Sequence, residues 1–147
     1  MVAGLLDRPI SAASLAEEIV ESEHGALVCF EGRVRTRNRG RQVVRLHYEA
    51  YPEMAERTLR EIAAEAAARH SVGSIGVFHR TGTLEIGEVS VAIAVAAEHR
   101  SDAFEAARYV IEQVKIRLPV WKREEYEDGT SEWLDGVRPD TEPGVTE

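Results

Sequence analysis

The chain has 147 residues and is 44% hydrophobic, enough for the core of one domain and with no sign of a second. Its formal net charge of −8 argues against general affinity for nucleic acid or acidic membranes, although a local basic patch could override the average. The single cysteine, Cys29, excludes a disulfide framework and a cysteine-based metal site, and no charged leader or long apolar run appears, so we expect a cytoplasmic protein.

The N-terminal third predicts a short helix followed by a hairpin. Ser14 and Glu17 are spaced as a capping box, and the apolar residues that follow predict a helix ending near Val20. Residues 26–34 and 41–51 have the composition of strands, and the Asn-Arg-Gly turn between them predicts one long hairpin.

The middle of the chain predicts two long helices with a second hairpin between them. Apolar residues recur at helical spacing over residues 52–70, and the proline at the start is tolerated in a first turn. Residues 75–79 and 89–97 indicate strands joined by glycine-containing turns. A helix is predicted at residues 101–117. Its apolar stripe is expected to comprise Phe104, Ala107, Ile111, Val114 and Leu118.

The C-terminal segment predicts a small pair of strands around Asp128 and Gly129, then a tail rich in acidic residues, proline and glycine. We therefore expect one domain at residues 1–135 and a flexible acidic tail at 136–147. The predicted fold class is α+β, with two main helices packed on a mixed or antiparallel sheet and a small extra strand subdomain.

The stretch V-K-I-R-L-P-V-W-K-R-E at residues 114–124 says most about function. It ends an amphipathic helix, breaks at Pro119 and resumes at Trp121, so Lys115 and Lys122 flank one sharp turn. A lysine amine partly removed from water loses proton affinity and becomes a usable nucleophile or proton donor. The spacing therefore suggests chemistry on an electron-poor centre or an anion.

An arginine-rich segment without acidic residues precedes the first long helix. Its members are Arg33, Arg35, Arg37, Arg39, Arg41 and Arg45. Side chains alternate across a strand, so these odd positions would share one face wherever the segment stays extended. Two interpretations stay open, because charge protects an edge strand from aggregation and guanidinium groups also match phosphate oxygens. Arg35, nearest the body of the sheet, is the best candidate for phosphate binding.

His99 and Arg100 directly precede the second long helix, for which Ser101 is the predicted N-cap. Free N–H groups and the positive end of the helix dipole make this position an anion site that two cationic side chains would reinforce. The alternative is an ordinary capped helix with a surface arginine and a locally bonded histidine.

No metal and no cofactor are predicted, because no histidine has metal-ligand spacing to a suitable partner. Cys29 is expected to be a small buried residue of an apolar strand rather than a thiolate nucleophile. Phe30 and Trp121 could line a pocket, although core packing is the default for both.

Four sequence blocks resemble the large, catalytic subunit of molybdopterin synthase, across residues 25–133. The blocks are F-E-G-R-V-R at 30–35, Y-E-A-Y-P-E-M-A at 48–55, H-R-T-G-T-L-E-I-G-E at 79–88 and H-R-S-D-A-F-E-A-A-R-Y-V-I-E-Q-V-K-I-R-L-P-V-W-K-R-E at 99–124. In the last block the His-Arg, Ala-Phe, Lys and Pro-x-Trp-Lys elements recur at the family's spacing. The first 24 residues and the acidic tail carry no such signal.

The resemblance implies an α/β hammerhead fold and a homodimeric subunit that forms a heterotetramer with a small ubiquitin-like sulfur carrier at each end. It implies that the carrier's C-terminal Gly-Gly thiocarboxylate threads into the active site. Two sulfurs would then be inserted into cyclic pyranopterin monophosphate to form the dithiolene of molybdopterin. The protein would be a sulfurtransferase of molybdenum cofactor biosynthesis, and Cys29 would not be needed.

Position by position, the resemblance makes Lys115 and Lys122 the active-site lysines. Lys115 would act as nucleophile or acid/base, and Lys122 would orient the substrate and neutralise charge. The residues that match those holding the substrate phosphate, or lining its pocket, are Arg35, His99, Arg100 and Phe30. An extended arginine-rich hairpin could reach across a dimer, so part of each site is expected to come from the second subunit.

Two other classes of function stay open. A noncatalytic anion- or RNA-binding module could use the arginine-rich segment, but it would leave both lysines idle and lacks interleaved aromatic residues. A degenerate scaffold could keep only the role of binding the carrier. Glu98 and His47 depart from the family pattern, which bears on substrate affinity rather than on reaction class.

Overall fold

The computed structural model describes residues 1–134, so the predicted acidic tail at 136–147 lies outside the described residues. Helices packed on sheets confirm the predicted α+β class. In chain order the elements are β1 (Val2–Leu6), α1 (Ala12–Ile19), β2 (Ala26–Arg33), β3 (Arg37–Asn38), β4 (Arg41–Ala50), α2 (Pro52–Arg69), β5 (Ser74–Arg80), β6 (Gly82–Glu85), β7 (Val89–Ala97), α3 (Arg100–Arg117), β8 (Val120–Tyr126) and β9 (Ser131–Leu134).

The strands form two sheets. The first has the order β1-β5-β7-β2, in which β1 and β5 are parallel and the other pairs antiparallel. The second has the order β3-β4-β8-β9, with β6 also paired to β4. The β5–β7 and β8–β9 pairs confirm the second predicted hairpin and the predicted pair around Asp128 and Gly129.

The long hairpin predicted from residues 26–34 and 41–51 is wrong. β2 pairs with β7 in the first sheet, whereas β4 pairs with β8 and β6 in the second. Only the two-residue β3 pairs with β4, across a turn where Arg39 and Gly40 both have positive φ. The apolar strand β7 gives β2 a partner along its whole length, and this pairing joins residues distant in sequence that local turn chemistry does not reveal.

The first sheet is covered by helices on both faces, and β7 shows why. Its residues Val91, Ile93 and Val95 face the core formed with α2 and α3, while its alternating alanines face α1. A Cβ on Gly76 of β5 would lie 2.6 Å from Leu15 of α1, so glycine there allows the short helix to lie close to the sheet.

The helix ends differ in detail from prediction. α2 at Pro52–Arg69 is confirmed. α1 begins earlier than the capping box predicted, because the Ser11 side chain accepts a hydrogen bond from the backbone N–H of Ser14. His99, not Ser101, occupies the N-cap position of α3. The strand β1 had no counterpart in the prediction.

The apolar stripe predicted for α3 is also partly wrong. Phe104 is 62% exposed and Ile111 only partly buried. The buried residues of the helix are instead Ala103, Ala106, Ala107, Val110 and Val114. Small alanines let α3 approach the sheet closely, and the larger side chains beside them stay at the surface. None of the helices within residues 1–134 has the length and apolarity needed to cross a bilayer; the cytoplasmic location stays a prediction.

Candidate active site

Two neighbouring segments bring the two lysines to one cavity. Lys115 lies in the last turn of α3, and Lys122 is the third residue of β8. Between them Pro119 is fully buried and cannot continue a helix, so the chain turns there. Both side chains line a cavity of about 180 Å³. They are the only lysines in the sequence.

The cavity opens where the two sheets meet, and both sheets and the connection between them contribute to its wall. The residues that determine its chemistry are Gly32, Arg35, Tyr48, Ser90, Lys115, Lys122 and Glu124. The structure thus brings together three of the predicted site residues, Arg35 and the two lysines. Four cationic side chains, those of Arg33, Arg35 and the two lysines, and one carboxylate make the cavity a suitable receptor for an anion.

The amine of Lys115 is tuned by its surroundings. The residue keeps solvent-accessible surface, so a substrate could reach it. Protein atoms nevertheless surround the amine closely enough that burial lowers its pKa, and the nearby Arg35 guanidinium lowers the pKa further. A larger fraction of this amine is therefore neutral near pH 7 than for an ordinary lysine.

A buried histidine lies beneath the lysines. His79 is the last but one residue of β5, and its Nδ1 lies 2.8 Å from the carbonyl oxygen of Arg80. A carbonyl can only accept, so Nδ1 carries the proton of the neutral ring. Burial lowers the pKa of His79 to about 4, and the charges of Lys115 and Lys122 lower it as well. The buried His79 ring therefore stays uncharged at neutral pH.

A buried carboxylate, Glu124, lies two residues after Lys122 on β8. Glu124 is only 3% exposed and accepts hydrogen bonds from Asn38 Nδ2 at 2.9 Å and from the Tyr126 hydroxyl at 2.9 Å. Asn38 Oδ1 in turn lies 3.5 Å from a guanidinium nitrogen of Arg35. This chain of contacts links the arginine-rich segment to β8 and holds negative charge beside the cationic groups.

Most arginines of the arginine-rich segment contact protein groups. Arg33 donates from Nε and Nη2 to the carbonyl oxygen of Gly87, at 3.1 and 2.8 Å. Arg41 and Arg45 form ion pairs with acidic residues of neighbouring strands and turns. Among the described residues, no feature favours the noncatalytic alternative. Arg33 and Arg35 both line the cavity. Of the two, only Arg35 lowers the pKa of Lys115.

His99 and Arg100 do not reach the cavity within one protomer. Both are exposed at the N-terminus of α3, and Lys115 lies at the other end of the same helix. At a rise of 1.5 Å per residue, Arg100 and Lys115 are separated by about 22 Å along the helix axis. One copy of the chain therefore cannot place both ends of α3 against the same phosphate group.

A family model described as MoaE protein matches residues 5–117, well over half of the chain. The chain belongs to the MoaE family. The predicted resemblance is therefore confirmed. A protein of Oryza sativa subsp. indica named molybdopterin synthase catalytic subunit is 47% identical over 120 residues, which cover 82% of this chain and 62% of that protein. The chain thus spans less than two thirds of this curated relative.

Solved structures agree with the MoaE fold. A crystal structure of molybdopterin synthase from Staphylococcus aureus matches with a TM-score of 0.84 and 36% identity, over 91% of this chain and 96% of that one. A complex of subunits 1 and 2 of molybdopterin-converting factor from Helicobacter pylori matches with a TM-score of 0.74 at 20% identity, over 97% of this chain and 94% of that one. The second likeness shows the fold alone.

Phe30, expected in the pocket, lies elsewhere in this MoaE-family chain. It is 37% exposed and lines a groove of about 730 Å³ between the edge strand β2 and α3, together with Phe104 and Ile111. Cys29 lies beside it and is exposed, so the prediction of a buried cysteine is wrong. β2 is an edge strand that α1 covers only in part, although residual burial, and then Glu31, raise the pKa of the Cys29 thiol.

Sequence reasoning missed the residues that support the lysines. Asn38 and Glu124 are 86 positions apart in the chain, and His79 belongs to a different sheet from Lys122. The only sequence feature that could have indicated them is a polar residue within a strand whose other residues are apolar or alternate between apolar and polar. Within residues 1–134, no three His, Cys, Asp or Glu side chains are grouped so that they could hold a metal ion.

Proposed function

We propose that this MoaE-family protein is the catalytic subunit of molybdopterin synthase, a sulfurtransferase. The convergence of Lys115 and Lys122 on one cavity beside Arg35 carries the proposal, and the names of its relatives support it. In the proposed reaction, sulfur passes from the C-terminal thiocarboxylate of a small ubiquitin-like carrier to cyclic pyranopterin monophosphate. Two such transfers form the dithiolene of molybdopterin.

The roles of the cationic residues follow from their surroundings. Lys115 has a lowered pKa, so its neutral amine can exchange a proton with the substrate or attack the acyl carbon of the carrier. The attack breaks the carbon–sulfur bond, frees the sulfur to bond to the pterin, and leaves an acyl-lysine that water hydrolyses to the carrier's carboxylate. Lys122 orients the substrate and neutralises negative charge that develops during the transfer. Arg35 presents a planar guanidinium to the substrate phosphate, which it can bind through two parallel hydrogen bonds.

A carrier with a glycine-rich C-terminus suits the shape and charge of the cavity. The cavity, of about 180 Å³, can admit a narrow chain end. Two glycines have no side chains to exclude, and an anionic thiocarboxylate is attracted by the surrounding cations. The Helicobacter pylori protein of like fold is described as a complex of two subunits, which is consistent with such a partner.

We further infer a homodimer in which each site is completed by the second protomer. The groove between β2 and α3 exposes Phe30 and Phe104, side chains that a partner surface would cover. Ser101 lines the same groove, so His99 and Arg100 lie at its rim. A second protomer bound there would bring its own His99 and Arg100 near the edge of the groove. Within one protomer, these two residues lie far from Lys115.

Reconstitution tests the proposed function directly. Purified protein is mixed with cyclic pyranopterin monophosphate and a thiocarboxylated carrier, and dithiolene product is followed by mass spectrometry after trapping the thiols. We expect product that depends on the thiocarboxylate, with none from a matched carrier ending in an ordinary carboxylate. No product from the thiocarboxylated carrier, with folded protein and demonstrable carrier binding, would refute the proposal.

A further inference from the structure

Tyr48 is the aromatic member of the cavity wall and lies directly across from one of the lysines. It is 8% exposed, and its position on β4 pairs with Lys122 on the antiparallel strand β8. Directly opposed residues on neighbouring antiparallel strands point to the same face, with Cβ atoms about 5 Å apart. The aliphatic stem of Lys122 therefore runs beside the Tyr48 ring on its way to the amine.

The ring of Tyr48 rests against a fixed support. His79 meets it edge to face, with ring centroids 5.0 Å apart and planes inclined by 78°. The His79 ring is itself held by the hydrogen bond that Nδ1 donates to the carbonyl oxygen of Arg80. Edge-to-face contacts fix the relative orientation of two rings more strictly than apolar packing alone.

The hydroxyl of Tyr48 is held by a second contact. It hydrogen-bonds with Ser90, and the Ser90 hydroxyl donates to the carbonyl oxygen of Gly32 at 3.2 Å. Tyr48, Ser90 and Gly32 all line the cavity, so this chain of hydrogen bonds ties the wall of one sheet to the other.

The protonation of Tyr48 suits this role. Burial raises the pKa of the phenol most; the Ser90 hydrogen bond lowers it by less, and the nearby Glu124 carboxylate raises it by less still. The phenol therefore keeps its proton at neutral pH. A side chain held at both ends in this way is suited to set the position of its neighbour.

We propose that Tyr48 is a positioning residue of the lysine cavity, which directs the Lys122 side chain along a ring held in place by His79 and Ser90. The kinetic consequence rests on the proposed function, since it assumes that Lys122 acts during sulfur transfer. The structural consequence does not, because the surroundings of Lys122 can be observed without any reaction.

The chain's two lysines make the structural test unusually clean. Labelling with ε-¹³C-lysine gives two lysine signals, which Lys115→Arg and Lys122→Arg assign. Tyr48→Phe removes the hydroxyl, and Ser90→Ala removes its hydrogen-bond partner while leaving the tyrosine intact. We expect both variants to displace or broaden the Lys122 signal, and the double variant to do no more than either single one.

Sulfur transfer supplies the kinetic readout. Each variant is expected to lower kcat about tenfold, the size expected for one lost hydrogen bond, while KM for the pterin changes less than about twofold. The matched control is Tyr109→Phe, which removes the same atom from a tyrosine that contacts Glu65 between α2 and α3. This control should leave the lysine signals and kcat at their wild-type values.

The inference is overturned if the Lys122 signal of folded Tyr48→Phe and Ser90→Ala proteins coincides with that of wild type. It is also overturned if kcat falls only in proportion to the loss of folded protein, as measured by thermal unfolding. Should Tyr48→Phe fail to fold, Ser90→Ala alone decides. If wild type makes no product at all, the proposed function fails, and the lysine signals still decide the role of Tyr48.

Discussion

At the scale of single residues, the protein divides its cationic side chains by chemistry. The sequence contains sixteen arginines and only two lysines. A guanidinium stays charged in every environment, and arginines supply the ion pairs that join strands and helices. A lysine amine can lose its proton when it is partly buried, and both lysines line the cavity. Arginine thus supplies the charges that stay constant in the ion pairs, and lysine supplies the amines of the cavity, whose charge can change.

Replacing Arg35 tests how the cavity tunes Lys115. Burial lowers the Lys115 pKa first and the Arg35 charge second, so Arg35→Ala should raise that pKa part of the way to its ordinary value. The neutral amine then appears at higher pH, so the acidic limb of the kcat profile should move to higher pH. KM for the phosphorylated pterin should rise as well, because a phosphate ligand is lost.

The measurement is a pH titration of the two ε-¹³C-lysine signals, run beside the pH profile of sulfur transfer. Arg37→Ala is the matched control, because Arg37 is exposed and does not line the cavity. A Lys115 titration that is the same in Arg35→Ala and wild type would show that Arg35 does not tune the amine.

Site residues could be predicted from the sequence where they lie close together in the chain. Lys115 and Lys122 were predicted to share a site because they are seven positions apart with one proline between them, so local geometry was enough. Arg35 was singled out by charge contrast within an acidic chain. His79 and Glu124 act through contacts across strands and sheets, and no local pattern distinguishes them from ordinary buried polar residues.

At the scale of elements, a partly exposed ion pair and a hydrogen bond join α2 to α3. Glu65 accepts hydrogen bonds from Arg117 at 2.6 and 2.9 Å and from the Tyr109 hydroxyl at 2.6 Å. The Arg117 bonds, followed by the Tyr109 bond, lower the Glu65 pKa to about 2 from 4.5. Because the folded pKa is the lower one, this contribution to stability is present above about pH 4.5 and is lost as pH falls toward 2.

Glu65→Gln should therefore destabilise the protein at pH 7 and much less in acid. Solvent screens this partly exposed pair, so the free energy of unfolding should fall by about 1 kcal/mol or less. Urea unfolding at a series of pH values between 7 and 3 measures the difference from wild type. Glu17→Gln, on the exposed face of α1, is the control. A Glu65→Gln deficit that stays constant down to the lowest pH would contradict the assigned pKa.

Elements were predicted best where their signal is local. The helix α2 was located to within one residue, because its apolar spacing and starting proline lie within one segment. The hairpin between residues 26–34 and 41–51 was wrong, because composition identifies strands and does not identify their partners. Phe104 was placed in the core by the spacing of large apolar residues, whereas the alanines of α3 form the contact with the sheet.

At the scale of the whole molecule, His99 and Arg100 can show whether each site is built from one protomer or from two. Two inactive chains, Lys115→Ala and the double variant His99→Ala/Arg100→Ala, are produced together with different affinity tags, and mixed dimers are purified. If sites are shared between protomers, each mixed dimer holds one intact site and should recover about half of the wild-type activity.

The two parent homodimers serve as controls and should both be inactive. Mixed dimers that stay as inactive as their parents would place all the required residues within one protomer. The apolar groove, where Phe30 and Phe104 are exposed, identifies the surface expected to hold the protomers together. The exposure of this groove could not be predicted from the sequence, because it depends on which face is left uncovered after folding.

The rate of dithiolene formation by wild type, Lys115→Ala and Lys115→Arg tests the central claim most directly. Arginine keeps the positive charge and stays protonated, so it separates a need for charge from a need for a neutral amine. We predict that both variants lose activity by at least about a hundredfold, as expected for removal of a group that attacks or transfers a proton. Product from Lys115→Ala at the wild-type rate would contradict the account.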